Sequence, residues 1–447
     1  MRAECTGQFT RHFFKACLAP CCQNKVIPLG REIAGIVAPN ASRSTCYQGR
    51  FSQGRRCVQN KSPFQSILEV GVNMVHRFQI ENPFFPNRKK TKRFIVSTKL
   101  SQPQAHGLQY PFETLPDPGK AVAVADGVYW VRMQLPYTLD HINIWLIDDG
   151  DSWVLVDTCV DMDSARQNYE TLFTGIMDNK PISRVLVTHM HPDHVGLAGW
   201  LVKRFDAEFY MSRTDYLMCR AMAGDTGLKA PDEAIRFYHR AGFSESGLAR
   251  YSERFGGFGQ HIFPLPQAYN RIKQDDELEI GGRIWRVEIG GGHAPEHACL
   301  YCADLNVLIS GDQVIPRISS NVSLFPTEPF ANPLQDWIDS CIRLRKELPG
   351  DALVLPAHNE PFYGLHARLD ALVDGHENAM TRLLDVCKTP RRAVDREIFS
   401  ALFKRKITAD TYFMATGESL AHLMCLVHRK LVNMHLDHDG VYNYTTA

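Results

Sequence analysis

Three histidines and one aspartate fall within six residues of the segment Thr188-His189-Met190-His191-Pro192-Asp193-His194, and this constrains the chain more than any other feature of it. The residues before it, Val185-Leu186-Val187, read as a short buried strand, and Gly196 to Phe205 after it has a helical pattern. The four polar heads therefore sit on a loop where a strand runs out. Neutral imidazole and carboxylate are the nitrogen and oxygen donors that bind zinc and related divalent ions. Convergence of such heads without a cation leaves them unpaired, which is costly. A His-rich surface loop is the alternative. With 18 His in 447 residues, chance gives little weight to three of them in six positions with Asp at the fifth. His189 and His191 can point to one ion, while Asp193 and His194 reach a neighbouring one.

Four more polar residues follow apolar runs in the same way. Asp157 ends Val154-Leu155-Val156, His293 follows Gly290-Gly291-Gly292, Asp312 follows Leu308-Ile309-Ser310-Gly311, and His358 follows Val354-Leu355-Pro356-Ala357. Strand ends are where sheet-based enzymes collect their site residues.

The elements around these positions are those of an α/β unit. Ala121–Ala125 and Val128–Gln134 flank Asp126-Gly127, a dipeptide suited to the positive φ angles of a tight hairpin. Ile142–Ile147 and Trp153–Asp157 read as a second hairpin, and Gly281-Gly282 turns a third. A helix is expected from Ser164 to about Met177. Between Ser212 and about Phe258 strands give way to helical spacing, with Phe237, Tyr238, Tyr251 and Phe255 available either to line a pocket or to pack this insertion onto the body. Near the carboxyl end, Ala393–Phe403 and Glu418–Leu431 read as helices, and a hairpin turns at Asp439-Gly440. Strands at both ends with helices interspersed predict two packed sheets covered by helices.

Three units are expected: residues 1–115, 116–370 and 371–447. The first is basic, poor in Asp and Glu, and holds six cysteines. It reads as a disordered tail, an organellar transit segment, or sequence upstream of a later start such as Met74, and its cluster at Arg88, Lys89, Lys90, Lys92 and Arg93 as a solvated linker. Overall, 50 Lys plus Arg balance 49 Asp plus Glu, so no global field favours nucleic acid or an anionic membrane. No run of 18 apolar residues suggests a membrane span. Thirteen cysteines without framework spacing read as reduced thiols in the cytoplasm, the pair Cys299 and Cys302 being buried on a strand.

The ordered set formed by the His-rich loop, Asp157, His293, Asp312 and His358 resembles the metallo-β-lactamase superfamily, specifically its glyoxalase-II-like hydrolases, over about residues 121–365. The resemblance implies an αββα sandwich with two divalent ions at one edge of the sheets, zinc first, with iron or manganese as alternatives. It implies that His189, His191 and His293 bind the first ion, that Asp193, His194 and His358 bind the second, and that Asp312 bridges them. Asp157 would orient the metal-binding loop from outside. Glu296 departs from the family pattern, where Gly is common, and His297 reads as a supporting histidine. The carboxyl-terminal module resembles a winged-helix-like extension found in one branch of the superfamily.

The expected activity is hydrolysis of a thioester, ester or lactone by a metal-bridging hydroxide, with Asp193 also aiming that hydroxide and Tyr137 and His141, between two early strands, contacting substrate. The alternative is a phosphodiesterase or single-strand endoribonuclease, prompted by Arg391, Arg392, Arg396, Lys404, Arg405 and Lys406. The short gap between Asp312 and His358 leaves no room for a large nucleic-acid-binding insertion and favours a small acyl substrate over RNA. A homodimer stays open. Glu would stand at His191 in diiron redox relatives, so an oxidase is disfavoured, as is an inactive scaffold, because no ligand is missing.

Overall fold

The computed structural model describes residues 107–447. The readings made for residues 1–106 lie outside the described residues.

Two sheets form the body. The first has seven strands in sequence order: β1 (Ala121–Ala125), β2 (Val128–Gln134), β3 (His141–Asp148), β4 (Trp153–Val156), β5 (Ile182–Leu186), β6 (Glu208–Ser212) and β7 (Asn270–Ile272). Its first four strands are antiparallel and its last four are joined in parallel. The second sheet contains β8 (Glu277–Ile280), β9 (Arg283–Gly290), β10 (His297–Cys302), β11 (Val307–Gly311) and β12 (Leu353–Pro356), with only β11 and β12 parallel. The hairpins expected at Asp126-Gly127 and Gly281-Gly282 are present.

Three apolar clusters explain the layering. Trp130, Trp145, Val154 and Val156 of the first sheet meet Trp285, Val287, Leu300, Ile309 and Leu355 of the second. The other face of the first sheet, with Val131, Met133, Ile144 and Leu155, packs on helices α1 (Asp163–Thr174), the short α2 (Pro192–Val195) and α3 (Ala198–Phe205). Strand β3 is thus covered on both faces, which is why its side chains are apolar almost without alternation. Insertion helices α4 (Arg213–Gly224), α5 (Asp232–Ala241) and α6 (Glu245–Arg254) follow β6, as the helical spacing predicts. The outer face of the second sheet carries Cys299, Leu308 and Val354 against α7 (Pro333–Glu347), α8 (Leu365–Val386) and α10 (Tyr412–His428). The result is the αββα sandwich, extended by a carboxyl-terminal helical module in which α9 (Arg396–Leu402) and α10 precede a two-stranded sheet, β13 (Val432–Leu436) with β14 (Tyr442–Thr446).

Two details differ from the sequence reading. Helix α8 runs unbroken through residue 370, where a division is expected. The segment expected to be an extension up to about residue 115 is fastened to the body from Leu108 onward. Leu108 is buried, Gln109 exchanges two backbone hydrogen bonds with Tyr363, and Arg317 lies over the Tyr110 ring at 4.4 Å. Cys299 and Cys302 are buried free thiols on β10, as expected. The aromatic residues of the insertion mainly pack: Tyr238 and Tyr251 are 4.4 Å apart and both meet Phe413 at the start of α10, while Phe237 lines a small apolar cavity. Among the described residues no helix is long and apolar enough to cross a membrane.

Candidate metal centre

The polar residues singled out in the sequence leave the sandwich at one edge. Asp157 follows β4, the loop His189 to His194 follows β5, His293 lies between β9 and β10, Asp312 follows β11 and His358 follows β12. Asp193 and His358, 165 positions apart in the sequence, are thereby brought within 3.4 Å of each other. Donor atoms of His189, His191 and His293 lie within 4.8 Å of one another, and so do those of Asp193, His194 and His358. Asp312 stands between the two groups. Its Oδ2 is 3.3 Å from His293 Nε2, while its Oδ1 is 3.4 Å from His358 Nε2 and 3.7 Å from His194 Nε2. Ligand atoms of a tetrahedral zinc with bonds of about 2.0–2.1 Å are about 3.3 Å apart. Individual donor pairs fall on either side of that value, 2.8 Å for His189 Nε2 to His191 Nδ1 and 3.7 Å for His194 Nε2 to Asp193 Oδ2, within groups whose atoms all lie within 4.8 Å.

The donors fit a cation on a second ground. His194 Nε2 and Asp312 Oδ1 are buried and have no hydrogen-bond partner in the protein, a costly condition unless something else meets them. The opposite ring nitrogens are committed. Nδ1 of His293 donates to the Asn321 carbonyl at 2.7 Å and Nδ1 of His358 donates to the His141 carbonyl at 2.7 Å, which leaves both Nε2 atoms as lone-pair donors. His194 Nδ1 bonds Asp157 Oδ2 at 2.8 Å, and His189 Nδ1 lies 3.1 Å from Thr188 Oγ1.

Electrostatics divide the imidazoles: His189 and His191 of the first donor group lose their charge to burial and to neighbouring histidines, while His194 and His358 face carboxylates. Burial and the neighbouring His293 push His191 down to about 3, and burial with four nearby histidines holds His189 well below its ordinary value. Burial opposes a charge on His194, but Asp157, Asp193 and Asp312 outweigh it and raise its pKa. Burial likewise opposes the Asp193 carboxylate, yet His194 and His358 lower it to about 2. The pocket thus sets carboxylates among closely packed imidazoles at one point.

Residues outside the donor set hold it. Asp157, at φ 61°, accepts from the Thr188 amide, the Thr188 hydroxyl and His194, and does not itself enter either donor group. His297 Nε2 accepts from the Asp312 amide at 3.0 Å. His141 has both ring nitrogens engaged, Nδ1 with Asp140 at 2.8 Å and Nε2 with the Asn359 amide at 2.8 Å, and its ring packs beside His358. Tyr137 stacks edge-on to His261, and its hydroxyl pKa is raised by burial and by the Asp193 carboxylate. Gly292, at φ 96°, presses against α7: a Cβ there would come within 2.3 Å of Trp337 Cβ and 2.4 Å of the Pro333 carbonyl. Only glycine lets the chain deliver His293 from that path.

Sequence reasoning missed Asp215. Buried at the start of α4, it accepts from the Met190 amide at 3.0 Å, the Glu296 amide at 2.8 Å and the Ser212 hydroxyl at 3.2 Å. Glu296 returns the contact by accepting from the Thr214 amide at 2.7 Å. One carboxylate therefore ties the loop of His189 and His191 to the loop of His293. The Glu296 departure noted in the sequence has its partner here.

An αββα sandwich with seven convergent imidazole and carboxylate donors at the sheet edge defines a metallo-hydrolase type of architecture. The sequence profile of the metallo-beta-lactamase superfamily matches residues 137–358, and that of the metallo-beta-lactamase-like C-terminal domain matches residues 380–447. A beta-lactamase domain protein from Burkholderia ambifaria is 35% identical and superposes with a TM-score of 0.70, covering 76% of this chain and 99% of its own. The chain belongs to the metallo-beta-lactamase superfamily. Its curated relatives include a probable metallo-hydrolase of Bacillus subtilis, 22% identical over 71% of this chain and 97% of the relative. They also include a human acyl-coenzyme A thioesterase, 23% identical over 54% of this chain and 81% of the relative.

Proposed function

We propose that the protein is a hydrolase dependent on two divalent metal ions, zinc in the first instance, and that it cleaves a thioester or a related ester or lactone. The observation that carries the reading is Asp312, whose two carboxylate oxygens face two separate groups of donors. In this reading His189, His191 and His293 would hold one ion and Asp193, His194 and His358 the other, with Asp312 available to both. Two such ions supply an activated water and a Lewis acid for the acyl oxygen.

The protein's own residues do the rest. Asp157 fixes the His194 ring through Nδ1 and closes the Thr188 turn, so the second donor group keeps its geometry. His297 aims the Asp312 backbone, and His141 holds the His358 ring through its carbonyl and the following residue through its imidazole. Tyr137, kept protonated by burial and by Asp193, offers a hydroxyl beside the second donor group for a polar atom of the substrate. The carbonyl substrate class is supported by the human thioesterase among the relatives. An RNA substrate draws less support from the carboxyl-terminal arginines, because Arg392 is occupied by Asp437 and Asp439 and Arg391 faces Glu397.

The test is a panel of acyl-coenzyme A thioesters, p-nitrophenyl esters, lactones and unstructured RNA presented to zinc-loaded protein of known metal content. Two ions per chain with thioester or ester turnover supports the reading. Cleavage of RNA with no acyl hydrolysis overturns it.

A further inference from the structure

We propose that Glu418, on helix α10 of the carboxyl-terminal module, is a positioning residue for His293 and acts through Asn321. The inference rests on the reading of His293 as a metal ligand and extends it beyond the sandwich.

The carbonyl that accepts from His293 Nδ1 belongs to Asn321. This residue lies in the long connection between Asp312 and α7, which has no helix or strand of its own. A carbonyl on such a segment holds an imidazole in place only if the segment is itself held. Around Asn321 it is held by contacts of which three reach across to α10 or its immediate seam. Asn321 Nδ2 donates to Glu418 Oε2 at 3.0 Å, and Ser323 Oγ donates to Asn321 Oδ1 at 2.6 Å. The Leu324 amide donates to the Gly417 carbonyl at 3.0 Å. Ser323 lies so close to α10 that a Cβ on Gly417 would fall 2.6 Å from its hydroxyl oxygen and 2.8 Å from its Cβ.

Helix α10 is anchored in turn at the same height. The Glu418 carbonyl accepts from His422 Nδ1 at 2.8 Å, and His422 Nε2 meets His376 Nδ1 of α8 at 3.0 Å in the buried core. A continuous path of hydrogen bonds runs from the core of the carboxyl-terminal module to a ring nitrogen of the metal centre. Glu418 is its one side-chain acceptor for the Asn321 amide. By this path the ion that His189, His191 and His293 would hold is tuned from residues outside the sandwich.

Full-length protein stripped of metal is titrated with zinc against a chromophoric chelator, and with cobalt, whose visible spectrum reports ligand geometry. Glu418→Leu is expected to weaken one of two zinc-binding steps by about 10- to 100-fold, the usual cost of losing a residue that orients a ligand, and to leave the other step unchanged. The cobalt band altered by Glu418→Leu is expected to be the band lost in His293→Ala. Glu418→Gln, which keeps an acceptor oxygen, restores both. Asn321→Ala removes the same bond from its other end, and the double variant Asn321→Ala with Glu418→Leu is expected to be no weaker than either single one. If Glu418→Leu fails to fold, Asn321→Ala carries the test. Wild-type zinc steps and cobalt spectrum in the folded variants, or equal weakening of both steps, overturn the proposal while His293→Ala still loses an ion. A His293→Ala variant that binds two ions as tightly as wild type overturns the ligand assignment itself.

Discussion

Asp215→Asn isolates the carboxylate that joins the two ligand loops. Burial penalises the charge of Asp215 and raises its pKa from 3.8 to about 6, even though two amides and a hydroxyl bond to it. Below 3.8 the folded and unfolded chains both keep the proton. As pH rises from there to about 6 the unfolded chain releases it first, so stability falls, and above that range the loss is constant. A shift of this size corresponds to about 3 kcal/mol at the plateau, of which between about 1 and 2 kcal/mol accrues from about pH 5 to about pH 8. The asparagine amide escapes this loss because it does not ionise. It has one acceptor oxygen where the carboxylate has two, so either the Met190 or the Glu296 amide is stranded at a cost of about 1–3 kcal/mol at every pH. The stranded amide and the escaped ionisation loss are of similar size at pH 5, so the diagnostic is the trend: the variant is expected to gain about 1–2 kcal/mol on wild type between about pH 5 and about pH 8. Urea denaturation of the metal-free proteins at both pH values measures the difference. A difference that stays constant, or that moves in favour of wild type as pH rises, refutes the account of Asp215 as a buried carboxylate held at a raised pKa.

Further outcomes follow from the same geometry. His191→Ala and His358→Ala are each expected to remove one ion from the metal content and to lower hydrolysis by about a thousandfold, equivalent to about 4 kcal/mol of transition-state stabilisation; unchanged stoichiometry would count against the ligand assignment. Gly292→Ala is expected to destabilise the fold by about 3 kcal/mol or more, because its Cβ meets the backbone and Cβ of α7 at a positive φ, and thermal unfolding together with metal content checks it. Deleting residues 1–115 is expected to leave a protein less stable than deleting residues 1–106. The longer deletion removes Leu108, the Gln109–Tyr363 hydrogen bonds and the Tyr110–Arg317 contact, together about 3 kcal/mol, and parallel melting curves compare the two.

Legibility in the sequence followed the range of the interaction. The donor loop is written locally, because strand, turn and ligands occupy consecutive positions from Val185 to His194. Turn chemistry gave the hairpins at Asp126-Gly127 and Gly281-Gly282 for the same reason. Helix α8 is absent from the sequence reading. Its buried face carries Arg368, which donates to the Ile315 and Ile318 carbonyls, and His376, which meets His422. Polar residues on the core side blur the apolar period that marks a helix. Asp215, Asn321 and Glu418 left no local trace at all. Each acts on residues 25 to 97 positions away, and an Asp at a helix start or a Glu within a helix looks ordinary until its partners are known.

The point at which the insertion leaves the body also bears on how such a protein can change. Asp215 and Thr214 weld the first turn of α4 to both loops of the metal centre, whereas the outer helices α5 and α6 rest on each other and on Phe413 through aromatic packing. The donor loops and the distal helices are thereby given separate footings. The distal helices are open to redrawing, since rigidity at their root shields the clustered histidines and carboxylates from whatever is rebuilt beyond it.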